Sequence, residues 1–222
     1  MPRKRKPKKR LRRRAKLDLD DMQTAAAYHE AGHAAAVLDI GGAVRYLTIR
    51  PDPEDFPDTG GLMGHDFALG YDEQPDKQTF SQDYAYYSIL MLLAGITADA
   101  LVLNKSIPAM DVSILRLREV SPESYHDDFN RIEHYLDMAT ADIHDDQHNK
   151  LARQDIYLQA AMAVRQGLEE NWALVEALAQ GLLKHKTLDQ GQIDKIAKRH
   201  LNPDKQRPAR PGNKPGQIVV KI

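Results

Sequence analysis

The chain has 222 residues, 42% of them hydrophobic, enough for one compact domain with tails or at most two small domains. It has no cysteine, which excludes a disulfide framework and a thiolate metal site, so any metal must be held by His, Asp or Glu. The net charge of -1 conceals an asymmetry: eleven of the 31 Lys and Arg lie between Arg3 and Lys16 with no acid among them, leaving 20 bases against 32 acids in the rest.

Residues 1–17 read as a disordered basic arm, because Pro2, Pro7 and dense like charge oppose packing. Its candidate roles are to bind nucleic acid through phosphates, to lie on anionic lipid, to act as a nuclear-import-like patch in a eukaryotic host, or to serve as a solubilising tail. It lacks interleaved aromatics, so base stacking is not expected. The arm runs into Asp18, Asp20 and Asp21 rather than an apolar stretch, which predicts no secretory signal. With the absence of cysteine, this suits a cytoplasmic location.

Asp20 and Gln23 resemble a capping box, predicting a helix from about Asp21 to Leu38 that Gly41-Gly42 stops. Val44 to Arg50 is rich in β-formers and ends at Pro51, so it reads as a strand. Residues 52–59 form a turn-rich loop, and Gly61 to Asp66 read as a second short strand. A helix follows over Thr79 to Leu103. Its apolar run, Ile89 to Ala98, is shorter than the about 20 residues a bilayer requires, which predicts a buried helix and no transmembrane segment. The stretch 104–125, interrupted by Pro108 and Pro122, gives no clear element. Phe129, Ile132, Leu136, Ala139 and Ile143 then recur at helical spacing. Leu158, Ala161, Leu168, Trp172, Val175, Ala179 and Leu182 continue that pattern in a later helix, and Ile193 with Ile196 predict a final short one. Prolines 203, 208, 211 and 215 mark a flexible tail over 201–222, which leaves 18–200 as the folded domain. The expected fold is mostly α with a small β element.

Within the first helix stands His29-Glu30-Ala31-Gly32-His33. Residues four apart share one helical face, so two imidazoles can address one metal ion. Glu30 beside them is placed to take a proton from a water whose pKa zinc lowers towards neutrality. Of the other histidines only His144 and His148 stand at ligand spacing. They lack an intervening Glu and lie among Asp142, Asp145 and Asp146, which reads as a solvated helix end.

Ala27-Tyr28-His29-Glu30-Ala31-Gly32-His33-Ala34 resembles the zinc helix of the FtsH-type proteases, the AAA-linked metallopeptidases. Val44-Arg45-Tyr46-Leu47-Thr48-Ile49-Arg50-Pro51 is similar to the strand that follows in that family. Leu92-Leu93-Ala94-Gly95-Ile96-Thr97-Ala98-Asp99 resembles its Leu-Leu-Gly-Gly-Arg-Ala-Ala-Glu helix, and Asn171 to Ile193 resemble its closing helices. The resemblance covers roughly residues 22–197.

It implies a zincin-like helical peptidase domain and a third ligand, an Asp at the head of a later helix. In Asp127-Asp128-Phe129, Asp128 takes the ligand position and Asp127 stands where the family has Asn. The preceding Pro122-Glu123-Ser124-Tyr125-His126 departs from the family's Gly-rich stretch, so Asp127 or His126 is the alternative ligand, and a helix N-cap is the alternative role for Asp128. Asp99 matches the family's helix acid and is expected to accept a hydrogen bond from a ligand histidine, or else to face solvent. The strand containing Val44, Tyr46 and Thr48 is expected to hold an extended peptide along its free edge.

The resemblance therefore implies a zinc-dependent endopeptidase acting on unfolded polypeptide, with His29, His33 and Asp128 as ligands and Glu30 as general base. No Gly-x-x-x-x-Gly-Lys-Ser/Thr loop occurs, so the sequence is expected to carry no ATPase motor, and unfolding force is expected from a separate ATPase or adaptor or to be unnecessary. The other readings are a catalytically silent interaction module of the same fold, and a nucleic-acid-associated protein with a structural metal.

Overall fold

The computed structural model describes residues 19–50, 62–66, 82–106 and 126–201. The basic arm, the loop over 52–59, the body of the 104–125 stretch and the Pro-rich tail lie outside the described residues.

Helix α1 spans Leu19–Asp39 and carries Ala27, Ala31, Ala34 and Ala35 fully inside the core. Gly41 takes a left-handed conformation with φ 83°, its N–H bonding Leu38 O while the Gly42 N–H bonds Val37 O. This glycine-dependent double bond closes the helix where the Gly-Gly pair predicts it. At the other end the helix already includes Asp20, so the expected capping box at Asp20 and Gln23 does not form its start.

Three strands make a small antiparallel sheet in the order β2-β1-β3. Strand β1 is Ala43–Thr48, β2 is Leu62–Asp66 and β3 is Thr187–Asp189. The sheet adds one strand to the expected pair. The left-handed Lys186 (φ 65°) ends the preceding helix and turns the chain so that its carbonyl accepts from the Ile49 N–H. Thr48 Oγ1 and Thr187 Oγ1 then meet at 2.8 Å.

Because β1 is the central strand, Tyr46, Leu47 and Thr48 are paired on both sides. The expectation of a free edge on β1 at Tyr46 and Thr48 is therefore corrected. The register shifts between Val44 and Tyr46, so Val44 and Leu47 both point into the core and Val44 is fully buried. Among the described residues, the outer edges of β2 and β3 are without a neighbouring strand.

Helix α2, Gln82–Ser106, is buried at every position from Met91 to Leu101. Over Tyr84–Lys105 it is long and apolar enough to cross a membrane by composition, more than its ten-residue apolar run suggests. Its apolar window is 72% buried inside the fold, which explains the apolarity all round as that of a core helix. The closest helix contact is at Gly32 of α1, where a Cβ would come within 2.5 Å of Ala94 O and 2.7 Å of Ala98 Cβ. Only glycine allows α1 and α2 to approach this far.

Helix α3, His126–Ala139, docks on α2 through Phe129, Ile132 and Leu136. It stops before Ile143, where Asn149 Nδ2 bonds the Thr140 and Ile143 carbonyls and ties the turn to the next helix. The expected single helix through Leu158 and Leu182 is two helices, α4 (Asp146–Glu170) and α5 (Trp172–His185). They are divided at Asn171, whose buried side chain bonds Asp39 Oδ1 and Gly167 O. The apolar phase also differs from the expected one: α4 buries Ile156, Ala160, Val164 and Leu168 and leaves Leu158 58% exposed. Helix α6, Gln190–His200, opens with a capping box formed by Asp189 and Gln192. In the assembled core α1 lies against α2 on one side and α5 on the other, so the two histidines of α1 face the ridge of α2 that also receives α3.

Candidate metal centre

His29 and His33 stand one turn apart on α1 with ring centroids 4.5 Å apart and planes nearly perpendicular. Their Nε2 atoms approach to 3.0 Å. Asp128, in the first turn of α3, completes a triangle: its Oδ2 lies 3.1 Å from His29 Nε2 and 3.5 Å from His33 Nε2. Phe129 is buried directly after it, which fixes the phase of the helix and turns Asp128 towards α1.

The other ring nitrogens are anchored by α2. His29 Nδ1 is 2.8 Å from Asp99 Oδ2, and His33 Nδ1 is 2.8 Å from the Met91 carbonyl oxygen. Nδ1–H donation to these two acceptors leaves both Nε2 atoms with lone pairs aimed at one point, beside a carboxylate oxygen. The three donors are chemically matched to a divalent metal ion. Their spacings of 3.0–3.5 Å also suit it, because donors bound to tetrahedral zinc at about 2.0–2.1 Å lie about 3.3 Å apart. His29, His33 and Asp128 thus form a cluster capable of coordinating a metal ion.

The close approach of these groups shows in how each is drawn to ionise. Burial alone would lower the pKa of His29, but the charges of Asp99 and Asp128 and their hydrogen bonds outweigh it and hold the imidazole well above its usual value. Burial would likewise raise Asp128, yet the His33 and His29 rings hold it well below the usual carboxylate range. Glu30, buried next to the pair, shows the opposite balance. Desolvation raises its pKa against the opposing pull of His33 and His29.

The positions expected from the sequence divide as follows. His29, Glu30, His33, Asp99 and Asp128 come together from α1, α2 and α3. Asp127 faces solvent, and the side chain of His126 lies outside the described residues. Asp128 is the third residue of α3, inside the helix, so it is not an N-cap. Val44, Tyr46 and Thr48 lie on the central strand. His144 and His148 stay at a solvated helix start, where Asp145 accepts from the His148 N–H. Two contributors escape the sequence reading. The Met91 carbonyl has no side-chain signature. Gly95 is quoted only as part of an α2 motif, yet it is the position a Cβ could not fill without meeting both imidazoles.

No protein-family model matches the chain. Among curated proteins it is similar to the ATP-dependent zinc metalloprotease FtsH of Magnetococcus marinus, with 26% identity over 94% of this chain and 33% of that protein. It is also similar to the ATP-dependent zinc metalloprotease FtsH 4 of Sorangium cellulosum, with 27% identity over 88% of this chain and 32% of that protein. The chain thus spans about a third of the length of the curated relatives it matches, and the likeness is a distant one at the level of the family.

Proposed function

We propose that the chain is a zinc-dependent endopeptidase that hydrolyses peptide bonds in unfolded or loosely structured polypeptide. The observation that carries this reading is the convergence of three lone-pair donors, 3.0–3.5 Å apart, with the buried carboxyl of Glu30 one residue from the first of them. Distant similarity to zinc metalloproteases supports the same chemistry.

His29, His33 and Asp128 would hold zinc; when bound, the ion supplies Lewis acidity that brings a water's pKa near 7 and polarises a carbonyl. Asp99 and the Met91 carbonyl keep each Nδ1 protonated, so both Nε2 atoms point into the site. Glu30 takes a proton from the attacking water as its oxygen bonds to the peptide carbonyl carbon. It then delivers that proton to the departing amine nitrogen as the C–N bond breaks. A carboxyl whose pKa burial has raised is suited to both transfers near neutral pH. An extended peptide would be held along the outer edge of β2, one open side of a sheet that packs on α1. Force for unfolding stable substrates would come from an ATPase or adaptor acting with this domain.

The test is metal analysis together with cleavage of an unstructured peptide library. About one zinc per chain is expected, with activity lost in a chelator and restored by zinc. A fully zinc-loaded protein that cleaves nothing in the library would leave the interaction-module reading in its place.

A further inference from the structure

The acceptors that anchor the histidines follow one ridge of α2. Met91 takes His33 Nδ1, Asp99 takes His29 Nδ1, and Gly95 lies midway between them, one turn from each. A Cβ built on Gly95 would stand 2.5 Å from both Cε1 and Nε2 of His33 and 2.8 Å from His29 Cε1. Carbon atoms cannot approach so closely, so the bare Cα of Gly95 is the floor on which both rings rest.

We propose that Gly95 is a positioning residue: its missing side chain lets the two imidazoles converge while Met91 and Asp99 fix their rotation. This rests on the metal-centre reading above. It is separable from ordinary helix packing, and the comparison with Gly32 shows why. The nearest obstacles to a Cβ at Gly32 are the backbone oxygen of Ala94 and the Cβ of Ala98, so a methyl there must push α1 and α2 apart. At Gly95 the three nearest obstacles are ring atoms at the far ends of two side chains. In the metal-free protein those rings can turn away from a methyl by giving up their Nδ1 bonds to Asp99 and Met91, without driving the two helices apart. With metal bound they cannot, because each is held at Nδ1 by α2 and at Nε2 by the ion. A methyl at 95 therefore spares the fold and opposes the metal.

The experiment compares Gly95→Ala and Gly32→Ala with the wild type, all in the full chain. In excess chelator, Gly95→Ala is expected to melt clearly above Gly32→Ala, since alanine favours the helix and the side-chain rings, rather than the helix backbones, make room. Zinc affinity, measured by competition with a chromogenic chelator, is expected to fall at least about tenfold for Gly95→Ala, the scale on which supporting residues tune metal sites. In the metal-free protein the imidazole NMR signals of both His29 and His33 should move, while those of His144 and His148 stay. Zinc affinity within about twofold of wild type overturns the proposal. So does melting as low as that of Gly32→Ala, because Gly95 would then serve helix packing. If the wild type takes up no zinc, the metal-centre reading fails, and the imidazole signals alone decide whether Gly95 positions the rings.

Discussion

His29 Nδ1 and Asp99 Oδ2 meet at 2.8 Å across 70 residues of chain. The contact joins the histidine face of α1 to the buried ridge of α2 and fixes which nitrogen of His29 is left to face the site. The second oxygen, Asp99 Oδ1, is buried without a hydrogen-bond partner, so the carboxylate's field is directed at the imidazole with little competing stabilisation. Asp99→Asn retains the shape but removes the charge. Zinc affinity should fall by about ten- to a hundredfold with far-UV circular dichroism unchanged. Wild-type affinity in the variant would show that Asp99 acts only as packing.

The choice between adjacent acids gives a second test. Asp128 reaches both Nε2 atoms, whereas Asp127 is exposed on the other side of α3's first turn. Asp128→Ala should abolish tight zinc binding, and Asp127→Ala should leave it within about twofold, as expected of a solvated surface position. The reverse ranking would require α3 to sit in a different phase.

How far this site could be read from the sequence depended on the range of the signal. The His29–His33 pair is legible because its spacing and the alanine-rich helix around it are local facts. Asp128 needed a family resemblance, since nothing near it in sequence says that Phe129 docks on α2. The three-residue strand β3 and the division at Asn171 were not legible. The apolar spacing of α4 and α5 runs across that residue without a break, and what ends α4 is a side-chain bond to Asp39 132 residues away. The same holds for β1: its central place depends on β3, so its sequence alone suggests an open edge.

Protons and metal compete for the same atoms, which sets opposite pH trends. His29's pKa is raised in the fold because Asp99 and Asp128 outweigh burial. Its contribution to metal-free stability is full below the unfolded value of about 6.5 and is lost as pH rises through the raised one. Glu30, raised by burial, adds to the fall, since its ionisation is harder in the folded state. Asp128 is held low and protects the acid side: its contribution is full above about 3.9 and is lost as pH falls. In chelator the melting temperature should therefore decline as pH rises above about 6.5, while zinc affinity rises over the same range as the ligands deprotonate. A chelated protein that gains stability across this range would contradict the charge balance of the cluster.

The last prediction separates metal binding from chemistry, and it rests on Glu30. This side chain is buried beside the ligand pair but is not one of the three converging donors. Its electrostatic neighbours are His33, His29, Asp128 and Asp99, so it shares the cluster with the three converging donors and with the acid that anchors His29. Glu30→Gln keeps the size and helix preference and removes only the ability to carry a proton. The variant should fold, bind zinc with near wild-type affinity, and melt in chelator at least as high as wild type near pH 8, because a buried ionisable group has been replaced by a neutral one. Peptide hydrolysis should fall by at least about a hundredfold, the usual scale for a positioned acid–base group. The loss should appear in kcat rather than KM, since a proton in flight is present only at the transition state. Loss of zinc in this variant would make Glu30 a ligand, and undiminished cleavage would assign the base to another residue.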